Sequence, residues 1–234
     1  MRFQLIHLTA VPIYEQLLLE EYLLKHSEDN YIIIANGTPP AIVMGISGKV
    51  EELVHLSKVP EHIPLIRRFS GGGTVIVDEE TVFVTFICHK KEHSFMPYPE
   101  PILRWAASML QQVIPSLELK DNDFTLGEHK CGGNALYIKK ERWLIHTSLL
   151  WDYKAHHMQL LKHPPKTPLY RKNRDHEAFL CKLRDFFPCK TTWVQNLLSS
   201  FTDQGATSLE PLPILPPSHL FSTHIITKSL AQNN

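Results

Sequence analysis

Residues 67–78 read RRFSGGGTVIVD, with three successive glycines, Gly71 to Gly73, set between a paired arginine and a run of β-branched residues. Glycine loses more conformational entropy on ordering than any other residue, so a triple glycine beside a strand is costly unless the backbone requires it. Two needs would explain it. Either the chain turns through positive φ, or something approaches the main chain more closely than a Cβ would permit. As a structural device the stretch reads as a hairpin or bulge. As a ligand site it offers backbone N–H groups to an anion, with Arg67 and Arg68 as bidentate cations alongside. It is not a Walker A loop, lacking Gly-Lys-Ser/Thr, nor a GxGxxG opening a helix, because strand residues follow it.

Working outward, short β-branched runs bounded by Gly, Pro, Asn or Asp predict strands: YIIIA (31–35), AIVMG (41–45), PLIRRF (64–69), TVIV (74–77) and TVFVTFIC (81–88). TVIVDEETVFVTF reads as two strands joined by an acidic turn. PIYEQLLLEEYLLKH (12–26) has apolar residues at 13, 14, 17, 18 and 22 with acids between them, which predicts an amphipathic helix opened by proline. ILRWAASMLQQVI (102–114), 176–187 and 192–201 also read as helices, and 124–126, 134–138 and 143–150 as strands. The mixture without strict βαβ alternation gives an α+β class. Residues 1–201 are assigned to one folded domain. The Pro-rich stretch 202–234, containing LEPLPILPPSH, is read as a tail with little structure of its own and no full accessory domain.

Composition narrows the class of protein. The 234 residues are 43% hydrophobic and 21% charged, close to globular averages, and carry 24 basic and 24 acidic side chains. That balance points to neither a nucleic acid nor a membrane surface as partner. The four cysteines, Cys88, Cys131, Cys181 and Cys189, form no Cys-x-x-Cys pair and read as reduced thiols. The N-terminus is broken by Gln4, His7 and Glu15 and lacks a signal-peptide core, so a cytoplasmic location is expected. The fourteen histidines show no His-Glu-x-x-His frame, and no metal ligand is assigned.

A second constellation is GEHKCGGNALYIKKERWLIHTSLLWD (127–152), where Lys130 precedes Gly132-Gly133 and Asn134, and His146 lies in an apolar strand. Alone, Lys130 reads as a surface cation and His146 as a hydrogen-bonded core residue. Together, the two stretches resemble the lipoate–protein ligase A family, within the wider biotin/lipoate ligase and octanoyltransferase superfamily. The resemblance rests on Arg67-Arg68-Phe69-Ser70-Gly71-Gly72-Gly73, then Asn122-Asp123, Gly127, Lys130, Gly132-Gly133 and Asn134-Ala135, then His146 with Leu149-Leu150. YRKNRDHEAFL (170–180) looks like the family's end segment.

The resemblance implies a biotin/lipoate protein ligase catalytic-domain fold, a mixed or antiparallel sheet flanked by helices. It implies an ATP- and Mg2+-dependent ligase that activates lipoate as lipoyl-AMP. The acyl group then passes to a lysine of a lipoyl domain of a 2-oxoacid dehydrogenase E2 subunit, or of a glycine-cleavage H-type protein. By the match, Arg68, Gly71, Gly72, Gly73, Thr74, Val75, Ile76 and Asp123 bind ATP or the adenylate. Lys130 is catalytic, contacting the carboxylate and the α-phosphate, and Gly133, Asn134 and His146 line the lipoate pocket, with apolar strands near 42–44 and 82–87. A separate accessory subunit is a further expected partner.

The sequence departs from the family pattern at Val77, where a His precedes the aligned Asp78, at Phe83, where an Asn is common, and at Ile145-His146-Thr147-Ser148, which keeps one His of two. Two other readings stand beside the ligase. An octanoyltransferase would use a thioester donor and a cysteine nucleophile in the acyl pocket. A non-catalytic binder of lipoyl domains or adenylates would keep the pocket without the chemistry. The Gly-Arg-Gly-Arg type of loop expected of a biotin ligase is absent.

Overall fold

The structure is a computed structural model and describes residues 1–164 and 167–228. Its strands are β1 (Phe3–Thr9), β2 (Asn30–Asn36), β3 (Ala41–Met44), β4 (Leu65–Arg67), β5 (Val75–Val77), β6 (Thr81–His89), β7 (Leu117–Lys120), β8 (Asp123–Leu126), β9 (His129–Ile138), β10 (Arg142–Leu150), β11 (Thr207–Ser208) and β12 (His224–Ile226). The helices are α1 (Ile13–His26), α2 (Val50–Leu53), α3 (Pro99–Leu110), α4 (Ala155–Met158), α5 (His176–Phe179) and α6 (Lys190–Thr202). Among the described residues the strands form an eight-stranded sheet, β11-β1-β2-β6-β10-β9-β8-β7, and a four-stranded sheet, β12-β4-β3-β5. Both are mixed, with β1 parallel to β2 and β11, and β3 parallel to β4.

Central β6 is buried along its whole length, which explains its nearly unbroken apolar run. Its two faces feed different cores. Val82, Val84 and Phe86 pack with Ile102, Leu103 and Leu110 of α3 and Trp193, Leu197 and Phe201 of α6. Phe83 and Ile87 face the other way, toward Ile13 and Leu17 of α1 and Val43, Ile66 and Val77 of the small sheet. The small sheet and α1 therefore form a layer over one face of the large sheet.

The acidic turn after β5 joins two strands that do not pair, because β5 lies in the small sheet and β6 in the large one. Likewise β4 and β5 flank β3, so the triple-glycine segment is not a hairpin. It crosses over the end of β3, where a Cβ on Gly45 would lie 2.2 Å from the Gly72 carbonyl oxygen.

Several expectations are corrected. Two of the three acids of α1 do not face solvent: Glu15 is exposed, but Glu20 is buried against His146 and Thr85, and Glu21 is buried beneath the Ser222 and Thr223 amides of the C-terminal segment. The helix expected over 176–187 stops at Phe179, because Leu180 bridges to Lys130 and the Cys181 amide donates to the Lys130 carbonyl, 2.9 Å. The helix expected over 102–114 begins earlier and ends at Leu110. Strands β1 and β7 were not expected.

The stretch from 202 also has more structure than its composition suggests. Thr207 and Ser208 pair with Gln4 and Leu5, and His224–Ile226 pairs with Leu65–Arg67. Proline excludes regular ladders only where it stands, and the short segments between the prolines are free to pair.

Candidate active site

Lys130 is aimed by a local irregularity. Asp123 pairs with Gly133 and Phe124 with Gly132, but Thr125 pairs with Lys130, so Cys131 is an extra, unopposed residue on β9. Along an uninterrupted strand Lys130 and Gly133, three apart, would face opposite sides. The bulge puts them on the same side, 3.4 Å from the Lys130 Nζ to where a Gly133 Cβ would stand. Lys130 Nζ meets Asp123 Oδ1 at 2.7 Å, and Tyr170 donates its hydroxyl to Asp123 Oδ2 at 2.9 Å. Burial, and then the Asp123 charge, pushes the Tyr170 phenol well above its ordinary range, which keeps it a donor.

Across from Lys130 stands the glycine loop, and between them is a cavity of about 970 Å³, a volume suited to a small-molecule site. The glycines have distinct reasons. Gly72 has φ +96°, and a Cβ there would meet an Arg68 Nη at 2.8 Å. Gly71 and Gly73 need no such relief: a Cβ at either meets nothing within 4 Å. Gly73 lines the cavity, so its bare backbone is exposed to whatever enters. The Thr74 hydroxyl, also on this wall, is buried without a hydrogen-bond partner.

Arg68 holds this loop. It is 4% exposed, with Nε donating to Ser70 Oγ (3.0 Å) and Nη2 to the carbonyls of Gly71 (2.6 Å) and Gly73 (2.9 Å). Burial, partly opposed by Glu20, pushes its pKa down to about 10. Arg68 thus shapes the loop while lining the cavity, where its Nη1 makes one long hydrogen bond, 3.4 Å, to the Val43 carbonyl. Ser70 Oγ lies 3.2 Å from His146 Nε2, His146 Nδ1 lies 2.8 Å from Glu20 Oε2, and Glu20 Oε1 accepts from Gln16 and Thr85. A buried polar chain therefore links the glycine loop, through β10, to α1.

The cavity brings together Lys130, Asp123, Arg68, Gly72, Gly73, Thr74, Val75, Ile76, Gly133, Asn134 and His146, leaving only Gly71 outside its wall. Val43 and Phe83 supply apolar lining from the two strand regions expected to do so. Sequence reasoning missed Glu20, Tyr170 and Arg171. Glu20 had a signal: with Gln16 it interrupts the stripe Ile13–Leu17–Leu24 at i, i+4 spacing, a polar pair inside an apolar face. The cysteines stand elsewhere. Cys131 is buried on the opposite face of β9, its thiol toward the Phe124 carbonyl, and its hydrogen bond with Cys181, and then burial, push that thiol up; none of the four lines the cavity.

This fold, a large sheet with the small sheet and α1 on one face and α3 and α6 on the other, is the fold of lipoate–protein ligases. With a TM-score of 0.73 the chain matches a lipoate–protein ligase A crystallised with ATP, at 18% identity over 90% of either chain. It matches equally, at 16% identity over 90% and 88%, the bipartite lipoate protein ligase of Thermoplasma acidophilum, described with its E2 lipoyl domain. A family profile described as the lipoyl protein ligase A/B catalytic domain matches residues 12–201, and the chain belongs to that family.

Its relatives include the inactive lipoate–protein ligase 2 of Plasmodium falciparum (isolate 3D7), 25% identical over 241 residues, covering 76% of this chain and 62% of that protein. Lipoate–protein ligase 1 of Staphylococcus aureus (strain Mu50) is 31% identical over 140 residues, 57% of this chain and 42% of that one. The chain thus spans between 42% and 62% of the length of these two curated relatives. Among the described residues no helix is long and apolar enough to cross a membrane.

Proposed function

We propose that the chain is an ATP-dependent lipoate–protein ligase. The observation that carries this is the pairing of Lys130 with the glycine loop across one cavity, cation on one wall and bare backbone on the other. Lipoate carboxylate attacks the α-phosphorus of MgATP, forming the acyl-phosphate anhydride and releasing pyrophosphate. An acceptor lysine then attacks the acyl carbon through its ε-amine, and AMP departs with the bonding electrons.

Lys130 leaves Asp123 for the ligand, neutralising charge that develops on the α-phosphate as the leaving group departs. Asp123 keeps the Tyr170 hydroxyl as its partner, so the carboxylate is not orphaned. Among the described residues no three His, Cys, Asp or Glu side chains gather as a cage for a metal, and Mg2+ is assigned to the nucleotide's phosphates, with which it enters. The acyl chain lies against Val43, Phe83 and Leu17, toward the His146–Glu20 pair. The acceptors are lipoyl domains of 2-oxoacid dehydrogenase E2 subunits or glycine-cleavage H-type proteins. A separate accessory subunit belongs to the same proposal.

Two observations weigh the alternatives. The transferase reading needs a thiol in the acyl pocket, and Cys131, the thiol beside Lys130, is turned into the core. The binder reading has the relative named inactive on its side. Incubating the chain with a lipoyl domain, MgATP and lipoate, then weighing the domain, tests the proposal. A lipoyl adduct that requires ATP supports it. An octanoyl adduct from octanoyl carrier protein without ATP favours the transferase, and no adduct under either condition favours the binder.

A further inference from the structure

Two of the four cysteines stand side by side. Leu180 makes a parallel bridge with Lys130, and the Cys181 amide donates to the Lys130 carbonyl, 2.9 Å. Residues opposite each other in a parallel pair turn their side chains the same way, and the next two turn together to the other side. Lys130 and Leu180 both line the cavity, so Cys131 and Cys181 both point away from it, against one apolar cluster. Cys131 is fully buried there and Cys181 is half-buried. Cys131 sets its thiol between the Phe124 carbonyl, 3.4 Å away, and Cys181, whose own thiol reaches the His129 carbonyl at 3.7 Å. Cys88 lies near Arg142, and Cys189 is exposed before α6, so neither belongs to this pair.

The two thiols are not equivalent. The hydrogen bond between them, and then burial, raises Cys131, whereas the same bond lowers Cys181 against an opposing effect of burial. The thiolate is the reactive form of sulfur, so the accessible Cys181 is suited to attack and the buried Cys131 to resolve. Neighbouring strands lie about 4.8 Å apart, within the roughly 4.4–6.8 Å between Cα atoms that a disulfide spans. Cys131 is also the residue left unopposed by the bulge between β8 and β9, so it can shift toward Cys181 without breaking a ladder pair.

We propose that Cys131 and Cys181 are a redox-sensitive dithiol, which peroxide closes to a disulfide that disengages Lys130. The Cys181 thiolate attacks one peroxide oxygen, the O–O bond breaks, and the departing hydroxide takes the Cys181 proton as water. The Cys131 sulfur then attacks the sulfenic sulfur, the S–O bond breaks, and hydroxide leaves with the Cys131 proton as a second water. The two thiols lose two electrons and the peroxide gains them. Closing the bond draws the bulge toward Cys181. Because that bulge aims Lys130, its side chain is turned away from Asp123 and the cavity. The disulfide itself stands on the strand geometry, and its effect on catalysis rests on the ligase reading.

Treating the full chain with stoichiometric hydrogen peroxide tests this in wild type, Cys181→Ser and Cys131→Ser. The readouts are peptide mass mapping, thermal melting, MgATP binding by calorimetry and lipoate-dependent pyrophosphate exchange. Wild type should give a cross-linked 131–181 peptide, two hydrogens lighter than its reduced halves together and released by dithiothreitol. A bond closing a loop of about 50 residues should raise the Tm by about 5 °C or more. Exchange should fall about tenfold or more, as for a displaced catalytic group, and recover with dithiothreitol. Cys181→Ser should keep the exchange of reduced wild type and no longer respond to peroxide. Cys131→Ser should stop at a Cys181 sulfenic acid that dimedone traps; if it does not fold, Cys181→Ser alone decides.

Peroxide that leaves residues 131 and 181 unlinked, or that links only Cys189 between two copies, overturns the proposal. So does a 131–181 cross-link that leaves exchange unchanged. A wild type that binds MgATP but shows no exchange before oxidation removes the ligase reading, and weaker MgATP binding after cross-linking then upholds the dithiol on its own. A wild type that neither exchanges nor binds MgATP removes both.

Discussion

Lys130 reaches the cavity because Cys131 is squeezed out of the ladder between Phe124 and Thr125. No periodicity rule finds such a bulge, and the lysine was legible only through the glycines and Asn134 beside it. Lys130→Ala should cut adenylate formation by about a hundredfold or more, the loss of one preorganised charge-stabilising donor. The Tm should move little, since the side chain is partly exposed and Asp123 keeps Tyr170. Near-normal pyrophosphate release in the mutant would remove Lys130 from the chemistry.

The glycines make a paired test. Gly72→Ala forces a Cβ into positive φ and against Arg68, and should cost about 1–3 kcal/mol in denaturant unfolding. Gly73→Val has open space and should leave the unfolding midpoint nearly unchanged while weakening ATP binding, because the added side chain stands where ligand approaches. Equal stability losses in the two variants would make the loop a purely structural turn. Arg68 lines the cavity and also holds the glycine loop through its carbonyls, and that second role is a property of the fold that residue type does not announce.

At the scale of elements, α1 and β12 depend on each other. Glu21 accepts from the Ser222 and Thr223 amides at 2.8 and 3.0 Å and pairs with Lys25, while the Thr223 hydroxyl accepts from the Phe69 amide next to Arg68. Burial pushes the Glu21 carboxyl up, but the hydrogen bonds from Lys25 and the two amides outweigh it, and the net shift is down from 4.5. A depressed carboxylate contributes stability that is present above its unfolded value and is lost as pH falls through its folded one.

Glu21→Gln should therefore destabilise the fold by about 1–3 kcal/mol at neutral pH, by weakening bonds to buried amides. The gap between wild type and variant, followed as Tm against pH, should hold above about pH 5 and close in more acid solution. A gap that is constant with pH would mean that the glutamate charge is not what holds the C-terminal strand. Strands β2 to β6 were legible because each is a β-branched run bounded by turn residues. The terminal pairings were not, because strands of two or three residues between prolines carry no pattern of their own and are made by the partner they find.

Over the whole molecule, the candidate site sits between layers. The large sheet brings Lys130 and His146, the small sheet brings the glycine loop, and α1 brings Glu20, so the polar chain Arg68–Ser70–His146–Glu20 crosses the boundary between them. The sequence order of motifs was enough to name the parts of this cavity, since a family resemblance records which residues act together. What it could not supply were the partners that burial selects, Glu20 inside an apolar helix and Tyr170 on Asp123.

The central claim is that this cavity joins a carboxylate to AMP. Because that step is reversible, it is tested most directly by lipoate-dependent exchange of labelled pyrophosphate into ATP, with Mg2+ and no acceptor protein present. The account predicts exchange that requires lipoate and disappears in Lys130→Ala. Absence of exchange in wild-type protein that demonstrably binds both ATP and lipoate would contradict it.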